Sequence, residues 1–325
     1  NSMKKIFCTA LVLLVTFFVV AEEITILSFN IKGTSTSNRQ GNTEWLNDIC
    51  NIISNSQADI VLLQEVCIEL EKIPETKVFK RGKKDNLLDD MVKILGCENW
   101  CHLSTADYGL RANVSVNGIE YSSGDKTQNN AILYNSAKVQ AFDYAEILGF
   151  TNFDGNFLFN KNTVQFIEFS LVNQEETKFF VVNVHLPYNN LEKRFHDLET
   201  LESLFAKYKH YNGVIIGGDF NLHRSELTGR NFDYVDGHDS WYYDKNFGLK
   251  TTVGKSEDGF SLVNDYDHFV YSSKINVKSK MRRCFSLSNQ DFYKQVVIGE
   301  KTYTNSAEFN NKVSDHCPII MVLEF

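Results

Sequence analysis

Residues 213–221 read Gly-Val-Ile-Ile-Gly-Gly-Asp-Phe-Asn, and this stretch decides how the rest of the chain is interpreted. The apolar run at 214–216 predicts a buried β-strand. The two glycines after it allow a tight turn and a close approach of the backbone to a ligand. Asp219 and Asn221 then follow two residues apart, so their side chains can point the same way at the end of the strand. A carboxylate beside an amide suits a Mg²⁺ ion and a phosphate better than a packed core.

Other strand-like segments also have polar or charged side chains at their ends. Four of them end in acid, amide or imidazole groups, and one more leads carboxylates into a strand. The residues at these positions are Asn30, Glu65, Asn183, His185, Asp265, Asp267, Asp315 and His316. Asp265 and Asp267 would share one strand face, and we favour Asp267 because it is nearer the apolar run at 269–271. The pattern predicts a shared site for a divalent cation and a phosphate.

This ordered set of motifs resembles the endonuclease/exonuclease/phosphatase superfamily, and within it the secreted deoxyribonuclease I branch. The resemblance covers nearly the whole chain after the first 21 residues. It implies an α/β fold, a four-layer sandwich in which two central, mostly antiparallel β-sheets pack face to face with helices outside. Residues 22–325 are therefore expected to form a single domain.

The resemblance also implies roles for the motif residues. The expected catalytic residues are His185, Asp219, Asn221, Asp267 and His316, the expected metal ligands are Asn30, Glu65, Asp219 and Asp315, and the expected substrate-binding residues are Gln128, Asn129 and Asn183. The metal would be Mg²⁺ or Mn²⁺, and Ca²⁺ could serve as a structural ion. We expect His316 to hydrogen-bond Asp267 and to act as a general base, facing Asp219 across a gap the size of a phosphorus centre.

The chain departs from DNase I-like sequences at two places. Cys67 stands where these enzymes often carry an arginine that enters the DNA minor groove. Gln128 stands where they usually have a glutamate that orients the ring of His185, and an amide does not supply that charge.

Composition narrows the possible partners. The 325 residues are 43% hydrophobic, which is enough for a large core, and the formal net charge is −8. An acidic protein does not coat polyanions through a basic face, so any nucleic acid must be held by a local groove and by metal.

The first residues predict export. Lys4 and Lys5 precede an apolar run and Ala21, which is typical of a secretory signal at residues 1–21. The run has no stop-transfer partner, so we expect a secreted or periplasmic monomer without a stable membrane anchor. Six cysteines follow the leader, and we favour a disulfide bond between Cys97 and Cys101.

Apolar spacing predicts helices over 43–53, 85–95 and 191–208. An aromatic segment at 241–247 could stack bases or pack against the protein.

Three functions fit these observations. The first is a secreted, metal-dependent phosphodiesterase that cleaves DNA as an endonuclease. The second is a sphingomyelinase or phosphoinositide-type phosphoesterase on the same fold, with phospholipid or inositol phosphate as substrate. The third is a non-catalytic secreted effector, which has no reason to keep a nearly complete set of metal-binding and histidine residues.

Overall fold

The computed structural model describes residues 21–33, 41–68, 70–72, 74, 78–82, 86–108, 110–111, 114–116, 119–121, 128–142, 164–209, 213–235, 250–258, 260–283 and 296–325. The leader-like residues 1–20, the aromatic segment 241–247 and Cys284 lie outside these ranges. No helix within them is both long and apolar enough to span a membrane.

Five α-helices, one short 3₁₀-helix (Thr105–Tyr108) and nineteen strands lie in the described residues. The helices are α1 (Thr43–Ser56), α2 (Leu87–Leu95), α3 (Leu191–Tyr208), α4 (Arg224–Leu227) and α5 (Ser306–Lys312). The strands are β1 (Glu23–Asn30), β2 (Ile60–Cys67), β3 (Leu70–Lys72), β4 (Val78–Arg81), β5 (Trp100–Ser104), β6 (Leu110–Arg111), β7 (Val114–Val116), β8 (Ile119–Tyr121), β9 (Gln128–Asn135), β10 (Val139–Phe142), β11 (Val164–Leu171), β12 (Gln174–His185), β13 (Val214–Asp219), β14 (Tyr234–Val235), β15 (Asp267–Tyr271), β16 (Asn276–Arg283), β17 (Val296–Ile298), β18 (Lys301–Tyr303) and β19 (Ile319–Glu324).

Two six-stranded sheets form the centre of the molecule. Their strand orders are β16-β19-β1-β2-β9-β5 and β10-β11-β12-β13-β15-β14. In the described strands, each sheet contains one parallel pair, β1 with β2 and β12 with β13, and its other neighbours are antiparallel. The two parallel pairs therefore each bring two strand carboxyl ends to one edge of a sheet.

The inner faces of the two sheets share one apolar layer. Ile26 and Leu62 of the first sheet are buried in the same cluster as Phe179, Ile215 and Phe269 of the second. Helix α1 covers the outer face of the first sheet, and α3 covers the outer face of the second. The predicted four-layer sandwich is thereby confirmed, with two mostly antiparallel sheets inside.

The three predicted helices are present, with small differences at their ends. Helix α1 begins after Asn42, whose side chain accepts a hydrogen bond from Trp45 N, and it extends three residues beyond the predicted end at residue 53. Helix α3 has the predicted bounds and begins after Asn190, which accepts from Lys193 N. Helix α2 begins two residues later than predicted.

The expected disulfide bond between Cys97 and Cys101 was wrong, since both residues are free thiols. Cys101 lies in β5 opposite Tyr134 of β9, and the two side chains are hydrogen-bonded. Strand pairing therefore directs the Cys101 thiol to the tyrosine hydroxyl. Burial, followed by this contact, raises the pKa of Tyr134 to about 12.

The Gly218 position has no room for a side chain. Its φ of 148° favours glycine, and a Cβ there would lie 2.0 Å from the carbonyl oxygen of Val184 on the neighbouring strand. We expect Gly218→Ala to lower the free energy of unfolding by about 3 kcal/mol, because either β12 or β13 must move. Urea unfolding would measure the change. Gly229→Ala is the control, because nothing lies within 4 Å of its Cβ position, and an equal loss in both variants would contradict the steric argument.

Candidate active site

The carboxyl ends of the two parallel pairs meet at one edge of the sandwich. In the first sheet they carry Asn30 and Glu65, and in the second His185 and Asp219. His185 pairs directly with Asp219 across β12 and β13. The strand ends thus bring together residues that are up to 189 positions apart in the chain.

The amide of Asn30 joins the two carboxylates. Its Nδ2 donates to Glu65 Oε1 at 3.2 Å and to Asp219 Oδ2 at 3.1 Å. His185 Nε2 lies 3.8 Å from each of these two oxygens. Four of the residues predicted to be catalytic or metal-binding therefore surround one small space.

Glu65 reaches this space because the end of β2 is irregular. Its φ is 52°, in the left-handed region, and the register with β9 shifts between Leu63 and Val66. Gly33 passes so close that a Cβ there would lie 2.5 Å from the carbonyl oxygen of Glu65. This local backbone costs free energy and is held by the surrounding structure, as is common at functional sites.

The turn after β13 is also held in an unusual conformation. Asn221 has a φ of 51°, and its backbone N–H donates to Asp219 Oδ1 at 2.9 Å. Its side-chain amide donates to the carbonyl oxygen of Leu186 at 2.7 Å. Asp219 and Asn221 are both almost fully buried, so the pair predicted from the sequence lies on the site with fixed orientations.

The expected hydrogen bond between His316 and Asp267 is present. His316 Nδ1 lies 2.7 Å from Asp267 Oδ2, and Nε2 lies 3.5 Å from Asp219 Oδ2. The second distance is an ion-pair contact, so the expected phosphorus-sized gap between Asp219 and His316 was wrong. A phosphoryl group would have to lie beside this pair and not between its members.

The two carboxylates determine the protonation of His316. Burial by itself would lower the pKa of His316, but Asp267 and Asp219 outweigh it and raise the pKa to about 10. Burial also raises the pKa of Asp219, against the positive charge of His316. At neutral pH the imidazole therefore holds its proton and can donate a hydrogen bond to a phosphate oxygen.

The residues present fit a hard divalent cation. The carboxylates of Glu65 and Asp219 converge, and Mg²⁺ or Mn²⁺ prefers oxygen ligands of this type. Asn30 turns its Nδ2 towards them, while its Oδ1 accepts from Lys32 N at 3.0 Å, so in this arrangement Asn30 orients the carboxylates and does not ligate the cation as expected. Within the described ranges, potential ligand atoms of Asp219, Asp267 and His316 also lie within 4.8 Å of one another. Only Asp219 belongs to both this cluster and the predicted metal set.

Asp315, the fourth predicted ligand, is held by a cation of the protein itself. Its Oδ2 lies 3.2 Å from Lys32 Nζ, while its buried Oδ1 has no hydrogen-bond partner among the described residues. That second oxygen is the atom that Asp315 could offer to a metal.

The predicted substrate-binding residues lie differently from the rest. Asn183 is fully buried between the sheets, where its Nδ2 donates to the carbonyl oxygens of Leu63 and Ala131 at 3.0 Å and its Oδ1 accepts from Gln64 Nε2 at 2.7 Å. These contacts occupy its hydrogen-bonding groups, so its placement favours a bridge between the sheets over a substrate contact.

Asn129 and Gln128 are not brought into contact with the metal-binding residues by any hydrogen bond that the described residues show. Asn129 is fully buried, with its Oδ1 3.5 Å from Thr105 Oγ1. Gln128 begins β9, and its side chain lies outside the described part.

Sequence reasoning missed several residues that position the site. Ser314 Oγ donates to the carbonyl oxygen of Asn30 at 2.6 Å and accepts from His316 N at 3.1 Å, so it connects the end of β1 to the segment before β19. Ser314 lies two residues before His316, and Gln64 lies directly before Glu65. Their position beside predicted site residues was the signal that could have identified them. His223, which contacts the buried Asp265, was also missed, because 42 residues separate the two in the chain and no local pattern links them.

Comparison with known proteins agrees with this geometry. A profile described as "Endonuclease/Exonuclease/phosphatase family" matches residues 27–316. No curated protein matches the chain.

Solved structures share the fold at low sequence identity. An endonuclease/exonuclease/phosphatase family protein from Bacteroides thetaiotaomicron is 15% identical, with a TM-score of 0.55, over 94% of this chain and 98% of that one. A humanized D. rerio TDP2 is 14% identical, with a TM-score of 0.56, over 93% and 99%. D. rerio TDP2 complexed with a single strand DNA product is also 14% identical, with a TM-score of 0.52, over 94% and 100%. At this identity the likeness shows the fold alone.

Replacement of Asn183 tests its assignment as a bridge between the sheets. Asn183→Ala leaves two buried carbonyl oxygens and the amide of Gln64 with fewer partners, and we expect a loss of about 3 kcal/mol in the free energy of unfolding. Urea unfolding would measure it, with the exposed Asn189→Ala as a control expected to stay within about 0.5 kcal/mol. Wild-type stability with a weakened affinity for substrate would instead support a substrate contact.

The raised pKa of His316 predicts how stability depends on pH. Because the folded protein binds this proton more tightly than an unfolded histidine does, the stabilisation is complete below about pH 6.5 and is lost as pH rises through about 10. We expect the difference in free energy of unfolding between wild type and His316→Gln, in excess EDTA, to shrink over that range. A difference that stays constant from pH 6.5 to pH 10 would contradict the assignment.

Proposed function

We propose that this chain, which belongs to the endonuclease/exonuclease/phosphatase family, is a divalent-metal-dependent phosphodiesterase that cleaves nucleic acid as a DNase I-like endonuclease. The family includes metal-dependent phosphoesterases and nucleases. The observation that carries the proposal is the convergence of Asn30, Glu65, Asp219 and His185 beside the His316–Asp267 pair.

Hydrolysis of a phosphodiester requires that charge developing on the phosphoryl oxygens be stabilised. Glu65 would hold the cation, with Asp315 Oδ1 as a further oxygen at the same edge, and Asn30 orients Glu65 and Asp219 through its Nδ2. When bound, a divalent cation supplies electrostatic stabilisation and lowers the pKa of coordinated water. His316 and His185 are the hydrogen-bond donors that would contact the non-bridging oxygens from the other side, and Asn221 fixes the position of Asp219.

The proton of the attacking water has two candidate acceptors, His316 and Asp219. His316 already holds a proton between two carboxylates, which opposes the predicted role as general base. Asp219 has a raised pKa because it is buried, and a carboxylate with a raised pKa is a better proton acceptor. We therefore assign proton acceptance to Asp219 and hydrogen-bond donation to His316.

Nucleic acid is the substrate class that the comparisons support best. The structurally similar D. rerio TDP2 was solved with a single strand DNA product. Phospholipids and inositol phosphates are the alternative substrates, and the described residues offer no specific observation in their favour. Export is part of the proposal and rests on the leader-like sequence.

Substitutions at the site provide the test. We expect Asp219→Asn and His316→Gln each to reduce kcat on plasmid DNA by about 10²- to 10⁴-fold, the typical contribution of one acid–base group. Gel-based cleavage assays with the full-length protein and Mg²⁺ would measure this, together with sphingomyelin vesicles and inositol phosphates as alternative substrates. Asp90→Asn, which changes a carboxylate of α2 that is ion-paired with Lys93, is the matched control and should retain wild-type activity.

Metal removal is the complementary measurement. Activity should be lost in excess EDTA and restored by added Mg²⁺ or Mn²⁺. Full turnover in EDTA, or near-native rates in Asp219→Asn, would rule out the proposed chemistry.

A further inference from the structure

Three chain segments meet beside Asp219 on the side of the second sheet. Phe220 N donates to the carbonyl oxygen of Tyr266 at 2.8 Å, and Asn221 Nδ2 donates to the carbonyl oxygen of Leu186. Arg194 of α3 donates from Nη1 to the carbonyl oxygen of Asn221 at 2.6 Å. The segment after β12, the turn after β13 and the segment before β15 therefore form one surface next to the site.

This surface carries two phenol rings, an imidazole and a guanidinium group. Tyr188 is 63% exposed, directly after the His185 strand end. The rings of Tyr266 and His223 lie 5.1 Å apart, and His223 Nδ1 is hydrogen-bonded to the buried Asp265, which also accepts from Arg224 N. The imidazole is therefore held at a fixed position beside the phenol.

Tyr188, Arg194 and Asp219 are close enough to Tyr266 to affect its phenol. Partial burial raises the pKa of Tyr266, the proximity of Tyr188 and Asp219 raises it further, and the positive charge of Arg194 opposes them. Arg194 Nε is buried without a hydrogen-bond partner among the described residues. A positive charge, an exposed ring and the candidate cleavage centre thus lie side by side.

We propose that Tyr188, Tyr266, His223 and Arg194 form a subsite for the unpaired nucleotide next to the phosphate that is cleaved. The inference rests on the proposed function and adds a preference for single-stranded nucleic acid. An exposed tyrosine offers a ring on which a base can stack, and the neighbouring guanidinium group of Arg194 matches its phosphate. Stacking on a protein side chain requires a base whose face is free, which the interior of a duplex does not provide.

A lipid surface fits the same residues less well. Tyr188 and the 55% exposed Leu191 are surrounded in sequence by Asn189, Asn190 and Glu192, so the apolar surface is small and interrupted. A membrane-binding surface has a continuous apolar face with cationic residues at its border. One exposed ring beside one guanidinium group, in polar surroundings, matches the base and the phosphate of a nucleotide.

The experiment compares two 12-residue strands with the same number of phosphates. One is oligothymidylate, and the other is a base-free strand of tetrahydrofuran deoxyribose analogues. The full-length wild-type protein with Mg²⁺ should cleave oligothymidylate with a kcat/KM about 10-fold higher, since stacking of one base contributes about that factor. Tyr188→Ala should reduce this preference to near one, and Tyr188→Phe should keep it because the ring is retained.

Tyr234→Ala is the matched control. Tyr234 is also a half-exposed tyrosine, but it pairs with Tyr271 at the end of β15 that lies away from Asp267. This variant should show the wild-type preference.

The outcomes separate the two proposals. Cleavage of neither strand, with plasmid DNA still cut, would overturn the subsite, whereas loss of plasmid cleavage as well would overturn the proposed function. Cleavage of both strands at equal rates, or a preference that survives in Tyr188→Ala, would overturn the subsite while leaving the phosphodiesterase in place. Faster hydrolysis of sphingomyelin vesicles than of either strand, lost in Tyr188→Ala, would assign the surface to lipid and overturn the nucleotide subsite.

Discussion

The structure depends on a buried polar contact between the two sheets. Asn183 of β12 reaches across the apolar layer to the backbone of β2 and β9, and Gln64 of β2 reaches back to Asn183. Apolar packing alone permits two sheets to slide, because it has no preferred direction. Hydrogen bonds between buried groups do have a direction, and a shift would leave them unpaired. The contact therefore fixes the carboxyl end of β2 against that of β12, and with it the distance from Glu65 to His185 and Asp219.

The sequence predicted the fold and the identity of the site residues better than it predicted which groups those residues contact. Runs such as 214–216 and helical spacing at 191–208 carry local information, and both elements were found where they were expected. The resemblance implied a substrate contact for Asn183, which precedes His185 by two residues. On a strand this places both side chains on the same face, but the pattern does not say how deeply each is buried, and Asn183 proved to lie inside the sandwich. Depth depends on the opposite sheet, which no local pattern describes.

The role of His316 shows a second limit of the same kind. Its pairing with Asp267 followed from the motifs, and the hydrogen bond is present. The proximity of Asp219 was also expected, but the distance was not, and at 3.5 Å a second carboxylate changes the preferred state of the ring. Two buried carboxylates around one imidazole favour its charged form more than burial disfavours it. A bound cation beside Asp219 would weaken the stabilisation of the imidazolium by this carboxylate. The negative charge of Asp219 is then balanced partly by the proton on His316 and partly by the metal.

Because the protein is acidic, attraction to a nucleic-acid substrate must come from short-range contacts with individual groups. With a formal net charge of −8, the long-range field repels a polyanion, and the approach of a strand gains little from steering. Attraction must then arise within contact distance, from a cation between Glu65 and Asp219, from the His316 imidazolium and from Arg194. Contacts of such short range act on one or two phosphates and cannot follow a long duplex. Stacking on Tyr188 does not depend on net charge, so an acidic nuclease gains most from an unpaired base on this exposed ring.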